Sequence, residues 1–179
     1  MKKAVFFDRD GTLIEDKVYL NDPDNIIYLP GVFDCLAQIQ NQGFTIIVVT
    51  NQSGIPRGLV DVKNLHLIHE KMDKEFKKHG VSIATFLYAP YMVETNHFYR
   101  KPNPGMLLDG ALRNEILLKE SWMVGDRMTD VEAGHRAGTR SILLGDLEDP
   151  QGFEYEPPEA HVHSLLEVAN FIVNSTIKN

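Results

Sequence analysis

Five short apolar runs punctuate this chain, and each gives way to polar or glycine-bearing residues. They are AVFFD at 4–8, TIIVVT at 45–50, IATFLYA at 83–89, SWMVGD at 121–126 and RSILLG at 140–145. A run that is apolar throughout, with no polar alternation, suits a strand covered on both faces. Between the runs lie helical patterns at about 31–42, 61–79, 104–118, 130–137 and 164–173. Strand and helix in alternation predict an α/β fold: a doubly wound parallel sheet with helices on both faces. At 179 residues the chain can bury one substantial core, so 1–179 is expected to form a single domain without a large cap. The acidic, proline-bearing stretch at 145–160 is expected to be a surface loop.

The hydrophobic fraction of 43% and charged fraction of 24% are ordinary for a globular protein. A net charge of -7 argues against non-specific nucleic-acid binding and against an anionic membrane. An anionic small substrate stays possible, because local positive groups decide that. Cys35 is the one cysteine, so an internal disulfide is excluded. The most apolar run, Phe44 to Thr50, is too short to span a bilayer. The two lysines near the start lead into no leader-type apolar region, since Asp8 interrupts it. A reduced, soluble, cytoplasmic monomer is expected.

In open sheets of this kind ligands bind beyond the carboxyl ends of the strands. Those ends carry Asp8-Arg9-Asp10-Gly11-Thr12, Thr50-Asn51-Gln52-Ser53-Gly54, a loop closing on Arg100-Lys101-Pro102, and Gly125-Asp126-Arg127. Residues two apart in an extended chain point the same way, so Asp8 and Asp10 can share a pocket while Gly11 turns the backbone aside. Paired carboxylates raise one another's proton affinity unless a cation intervenes. Magnesium suits such oxygen ligands, and Asp126 supplies a further carboxylate. One acid of the pair can then attack phosphorus, while the other protonates the leaving oxygen and later deprotonates water.

Each residue also has a plainer explanation. The two acids can merely cap a turn, and Thr50 is a good β residue. With Asn51 and a glycine following, Thr50 can instead offer a hydroxyl and backbone N–H groups to a phosphate. Most lysines are solvated charges. Asn103 as helix cap and Pro104 as first helical residue would hold Lys101 just ahead of a helix N-terminus, the end that favours anions. Thr129-Asp130-Val131-Glu132 is a candidate capping box, so Asp130 serves either the helix or the metal site. Cys35 lies on a stripe with Val32, Leu36 and Ile39 and is expected in the core. His66, His69 and His79 fall on the charged helix at 61–79 and are expected at the surface.

Asp8-x-Asp10-Gly11-Thr12, Thr50-Asn51, Lys101 and Gly125-Asp126-x-x-x-Asp130 resemble, in order, the four motifs of the haloacid-dehalogenase-type phosphatases. The resemblance spans about 3–145. It implies Asp8 as nucleophile and Asp10 as general acid/base. Magnesium would sit on Asp8, the Asp10 carbonyl and Asp126, with Thr50, Asn51 and Lys101 holding the phosphoryl group and Gly11, Thr12 and Asp130 in support. FFDRDGTLIEDKVYL, VVTNQSGIPRG, RKPNPGML and MVGDRMTD are most similar to the branch that removes the C7 phosphate of heptose 1,7-bisphosphate for lipopolysaccharide core sugars.

That branch implies a short flap at about 14–29 and substrate contacts from Ser53, Arg57 and Arg100, although Arg57 can equally be a solvated charge. Its usual zinc-loop cysteines and histidine are replaced by Ala89, Tyr91, His97 and Tyr99. No structural zinc is therefore expected, and packing by Tyr88, Tyr91, Phe98 and Tyr99 should shape the loop. Histidinol-phosphate phosphatases share the motifs, but the SGIPRG arginine suits a second phosphate that histidinol phosphate lacks. A phospho-accepting receiver module would need an aspartate ending a middle strand, where this chain has none.

Overall fold

The computed structural model describes residues 1–146 and 155–177. Six strands pair in one sheet: β1 (Lys3–Phe7), β2 (Phe44–Asn51), β3 (Ile83–Ala89), β4 (Trp122–Gly125), β5 (Arg140–Leu144) and β6 (Ala160–Val162). Their order is β3-β2-β1-β4-β5-β6, and every pairing is parallel. The helices are α1 (Val32–Asn41), α2 (Val62–Lys78), α3 (Gly105–Asn114), α4 (Met128–Ala137) and α5 (Leu165–Ile177). No helix among the described residues is long and apolar enough to cross a membrane.

Successive side chains of the central strands β1, β2 and β4 enter opposite cores. Val5, Phe7, Ile46, Val48, Trp122 and Val124 pack with buried residues of α1, α2 and α5. Ala4, Phe6, Ile47, Val49 and Met123 pack with Met106 and Leu107 of α3 and Ala133 of α4. Each large side chain buried this way contributes roughly 1.5–3 kcal/mol, which is why the strands lack polar alternation.

The path runs from β1 out to β3, returns to β4 on the other side of β1, and moves out to β6. Connections diverge between β1 and β4, leaving a crevice at the carboxyl edge. The buried Ser121 hydroxyl pins these two strands: Oγ accepts from the Ala4 N–H at 2.9 Å and donates to the Leu117 carbonyl at 2.8 Å. With Phe7 paired to Val48 and Val124, Asp8, Thr50 and Asp126 emerge at nearly one level.

Several expectations need correction. The segment expected as a surface loop is irregular at 145–146 and 155–159, while 147–154 lies outside the described residues; its last residue, Ala160, opens β6, an unexpected edge strand on β5. The helix expected to reach 118 stops at Asn114, where Glu115 turns left-handed (φ 57°). There the chain docks on the start of β1, with the Leu117 N–H bound to the Lys2 carbonyl at 2.7 Å. Pro104 rather than Asn103 holds the N-cap position of α3, without a side-chain cap, and the Asn103 Oδ1 that could have capped accepts from Arg136 at 3.0 Å instead. The capping box expected from Thr129 to Glu132 does not form: α4 starts at Met128, and its start is held by Asp130 Oδ2, which accepts the Arg127 N–H at 3.1 Å. His69 is buried, not at the surface. Phe98 is exposed and does not pack the loop.

Candidate active site

The Asp8 N–H donates to the Val124 carbonyl at 2.9 Å, so the β1–β4 ladder ends as the Asp8 side chain enters the crevice. Asp8 Oδ1 accepts from Lys101 Nζ at 2.6 Å. The same ammonium lies 2.6 Å from Asp130 Oδ1 and 3.0 Å from the Val49 carbonyl, so all its donors are engaged. Lys101 is 3% exposed. Burial, the largest single effect, pulls its pKa down, but Asp130 and Asp8 together outweigh it and hold the pKa above the usual lysine value.

Asn51 fixes where that lysine starts. Its amide Nδ2 donates to the Lys101 carbonyl at 3.0 Å, and its Oδ1 accepts the Lys101 N–H at 3.1 Å. The Asn51 side chain, expected on a phosphate, braces Lys101 through both of its polar atoms.

Asp8, Asp126 and Asp130 each place a carboxylate oxygen within 4.8 Å of the others. Gly11 makes room for this: its φ is +83°, and a Cβ there would collide with the Asp126 carboxylate. A Cβ on Gly125 would likewise strike Asp130. Asp130 serves the helix start and Lys101 at once, since Oδ1 takes Lys101 and Oδ2 accepts the Arg127 N–H just ahead of α4 at 3.1 Å. Asp126 Oδ1, by contrast, is buried without a hydrogen-bond partner. Burial pushes the Asp8 pKa up to about 6 against the pull of Lys101. Burial, then Asp8 and Asp130, push that of Asp126 up to about 8. An orphaned buried carboxylate oxygen among crowded acids fits a divalent cation.

The Asp10 carboxylate turns the other way. It pairs with Arg9 at 2.9 Å, takes the Gln52 amide at 3.0 Å and accepts the Thr50 hydroxyl at 3.3 Å. Burial raises its pKa, and Arg9 opposes the rise. Thr50 is buried beside it, and the Thr12 hydroxyl is buried without a partner. The flap closes back on this turn: Ile14 bridges to both Asp10 and Tyr28, and Asp16 pairs with Arg127 at 3.0 Å.

Ser53 is half-buried and Arg57 exposed on the loop after β2. Arg100 is half-buried and donates to the Tyr91 carbonyl at 3.1 Å. Burial lowers its pKa and Glu94 opposes this, while the positive fields of Arg127 and Arg57 lower it further. Three arginines thus share one neighbourhood. Ala89 ends β3, Tyr91 and His97 stack at 3.5 Å between ring centroids, and the Tyr99 hydroxyl donates to Asp109 at 2.6 Å. Stacking and hydrogen bonds hold the loop at the four zinc-loop positions.

Sequence reasoning missed Gln52, Asp16, Arg127 and the buried Arg9. Arg9 offered one signal, an arginine between two acids at the end of an apolar run.

A family model for polynucleotide kinase 3 phosphatase matches residues 3–141. A D-glycero-beta-D-manno-heptose-1,7-bisphosphate 7-phosphatase of Photorhabdus laumondii is 33% identical over 179 residues, covering 96% of this chain and 90% of that protein. The crystal structure of D,D-heptose 1,7-bisphosphate phosphatase from B. bronchiseptica, complexed with magnesium and phosphate, matches with a TM-score of 0.86 at 30% identity. The match covers 97% of this chain and 99% of that one. A HAD-superfamily hydrolase from Ehrlichia chaffeensis shares the fold at a TM-score of 0.64 and 17% identity, over 97% and 98% of the two chains. The chain that gathers these four strand ends belongs to the haloacid-dehalogenase-type phosphatases, in the family described by the polynucleotide kinase 3 phosphatase model, and is a phosphoric monoester hydrolase.

Proposed function

We propose that the whole chain acts as one cytoplasmic, magnesium-dependent domain that removes the C7 phosphate of D-glycero-D-manno-heptose 1,7-bisphosphate, a step toward lipopolysaccharide core heptose. The observation that carries the chemistry is the Asp8 carboxylate held by Lys101 at 2.6 Å beside Asp126 and Asp130. The choice of substrate is supported by the relatives above, which match nearly the full chain.

Asp8 needs to be ionised to attack, and Lys101 favours that form against burial. One Asp8 oxygen forms a bond to phosphorus as the bond from phosphorus to the sugar oxygen breaks. Asp10, whose pKa is raised by burial, gives its proton to that oxygen. Water then attacks the phosphorus of the aspartyl phosphate and yields a proton to the Asp10 carboxylate, releasing phosphate and free Asp8. With substrate bound, Lys101 and the Thr50 hydroxyl would each turn a donor from Asp8 and Asp10 to the phosphoryl oxygens. Asp8, Asp126 and the Asp10 carbonyl would hold magnesium, which supplies positive charge to the transferring group. Ser53, Arg57 and Arg100 would contact the second phosphate, and Arg127, whose charge acts on Arg100, would add a third guanidinium.

Phosphate release from heptose 1,7-bisphosphate, histidinol phosphate and a 3′-phosphorylated oligonucleotide, with and without magnesium, tests this. The heptose bisphosphate should give the highest kcat/KM, only with magnesium, and the Asp8→Asn protein should be inactive yet folded. Equal or better use of either other substrate overturns the substrate, and normal turnover by Asp8→Asn overturns the nucleophile.

A further inference from the structure

Arg9 stands between the two aspartates of the first turn, and it is 1% exposed. A guanidinium carries five N–H donors, so burying one demands partners for them. Nε and Nη2 grip both oxygens of Asp10, at 2.9 to 3.2 Å. Nη1 meets His69 Nε2 at 3.2 Å. A guanidinium neither accepts a hydrogen bond nor gives up its proton here, so Nε2 must present its lone pair and the ring proton rests on Nδ1. His69 comes from α2 and is 7% exposed. Its ring lies along Phe86 of β3, with centroids 4.8 Å apart and planes 20° apart. Burial first and the Arg9 charge second keep the ring neutral, with its pKa lowered to about 3. The phosphoryl-transfer steps assign no work to either residue.

We infer that Arg9 and His69 are positioning residues for Asp10: His69 Nε2 anchors the guanidinium, and the guanidinium fork sets the plane of the carboxylate that donates the proton. The inference rests on Asp10 acting as general acid/base. A proton donor has to lie within about 2.6–3.2 Å of the leaving oxygen, whereas a carboxylate on two rotatable bonds can swing away. Two parallel N–H···O bonds fix its plane. The remaining contacts, from Thr50 and Gln52, both fall on Oδ2 and leave the carboxylate free to pivot about that atom. Without the imidazole acceptor, Nη1 becomes a buried orphan N–H, a costly state. The guanidinium then turns in search of a partner and takes the Asp10 carboxylate with it.

The test exploits leaving-group chemistry. p-Nitrophenolate departs without a proton, whereas an alkoxide needs one, so only the alkyl ester depends strongly on a well-aimed acid. His69→Phe keeps the stack on Phe86 and removes the acceptor. His69→Gln places an amide oxygen near the position of Nε2. His69→Phe should lose about 10- to 100-fold in kcat on a sugar phosphate, while p-nitrophenyl phosphate hydrolysis stays within about threefold and KM is little changed. His69→Gln should recover most of the loss. If the Phe form does not fold, His69→Asn, whose amide stops short of Arg9, takes its place. Asp10→Asn serves as the reference. If it shows the leaving-group-selective loss and His69→Phe does not, or His69→Phe loses equally on both esters, the inference fails alone. A flat response from Asp10→Asn removes Asp10 as the acid, and the inference with it.

Discussion

Asp126→Asn should make this protein more stable without a cation and blind to magnesium. Three carboxylates share 4.8 Å, and their one ammonium partner is spent on Asp8 and Asp130. Asp126 is left with a buried, unpaired oxygen and a pKa of about 8, against 3.8 for an ordinary aspartate. The folded state therefore keeps a proton on Asp126 between about pH 4 and pH 8 that the unfolded chain has released. Stability at this residue is complete below the unfolded pKa and declines as pH climbs toward the folded one. Each pH unit is worth about 1.4 kcal/mol per proton. Between about pH 6 and pH 7.5 the metal-free protein thus gives up roughly 2 kcal/mol here. For a chain of this size that corresponds to about 4–8 °C in Tm.

Asparagine keeps the shape and loses the titration. Without a cation, the variant's Tm margin over the parent should widen by about 4–8 °C between about pH 6 and pH 7.5, and narrow further as pH falls from 6 toward 4. Magnesium at a hundredfold excess over its Kd should stabilise the parent by about 2.7 kcal/mol, and the gain should grow with pH as cation and proton compete for one site. The variant should gain little. Thermal unfolding followed by circular dichroism over that pH range, with and without magnesium, measures both effects. A variant less stable than the parent near neutral pH, or one that magnesium stabilises equally, would refute the reasoning that crowded charge at Asp126 is the cation's seat.

Gly11→Ala places a side chain at φ +83° and against the Asp126 carboxylate. The backbone alone should cost about 1–2 kcal/mol, read as a lower urea midpoint, and phosphatase activity should fall as Asp126 is displaced; an unchanged midpoint would contradict the fit. Lys101→Met strands Asp8 and Asp130 without their partner and should cost about 3–5 kcal/mol near neutral pH. Part of that should return on acidification, because Asp8, already raised to about 6, then takes a proton. Urea unfolding at the two pH values checks this, and a pH-independent loss would argue against a charge effect.

The sheet was legible because its physics is local. Strands such as Phe44–Asn51, buried on both faces, read as unbroken apolar runs. The three-residue β6 was not legible: an edge strand with its middle residue, His161, exposed has no run long enough to show a period. The end of α3 was also invisible, since no glycine or proline marks Glu115. Docking of Leu117 on Lys2 decides it, a contact that exists only once β1 is in place. His69 did carry a signal. It shares a stripe with Leu65, Ile68, Met72 and Phe76, all buried, and helical spacing alone puts it on the inner face.

The candidate site divides along the same line. Asp8, Asp10, Thr50, Lys101 and Asp126 were identifiable because each sits at or just past the end of a strand, or ahead of a helix, where such chemistry would need its residue type. What orients them comes from far along the chain. Lys101 reaches Asp8 across 93 residues, and His69 reaches Arg9 across 60. A brace such as Asn51 on the Lys101 backbone, or a buried Arg9 beside Asp10, has no pattern of its own, because its partner is defined by the packing of two layers and not by spacing. Residues at the reacting atoms are constrained by chemistry that many chains share. Those that aim them are constrained only by this fold, so Arg9 and His69 emerge from the coordinates while Asp8 and Asp10 emerge from the sequence.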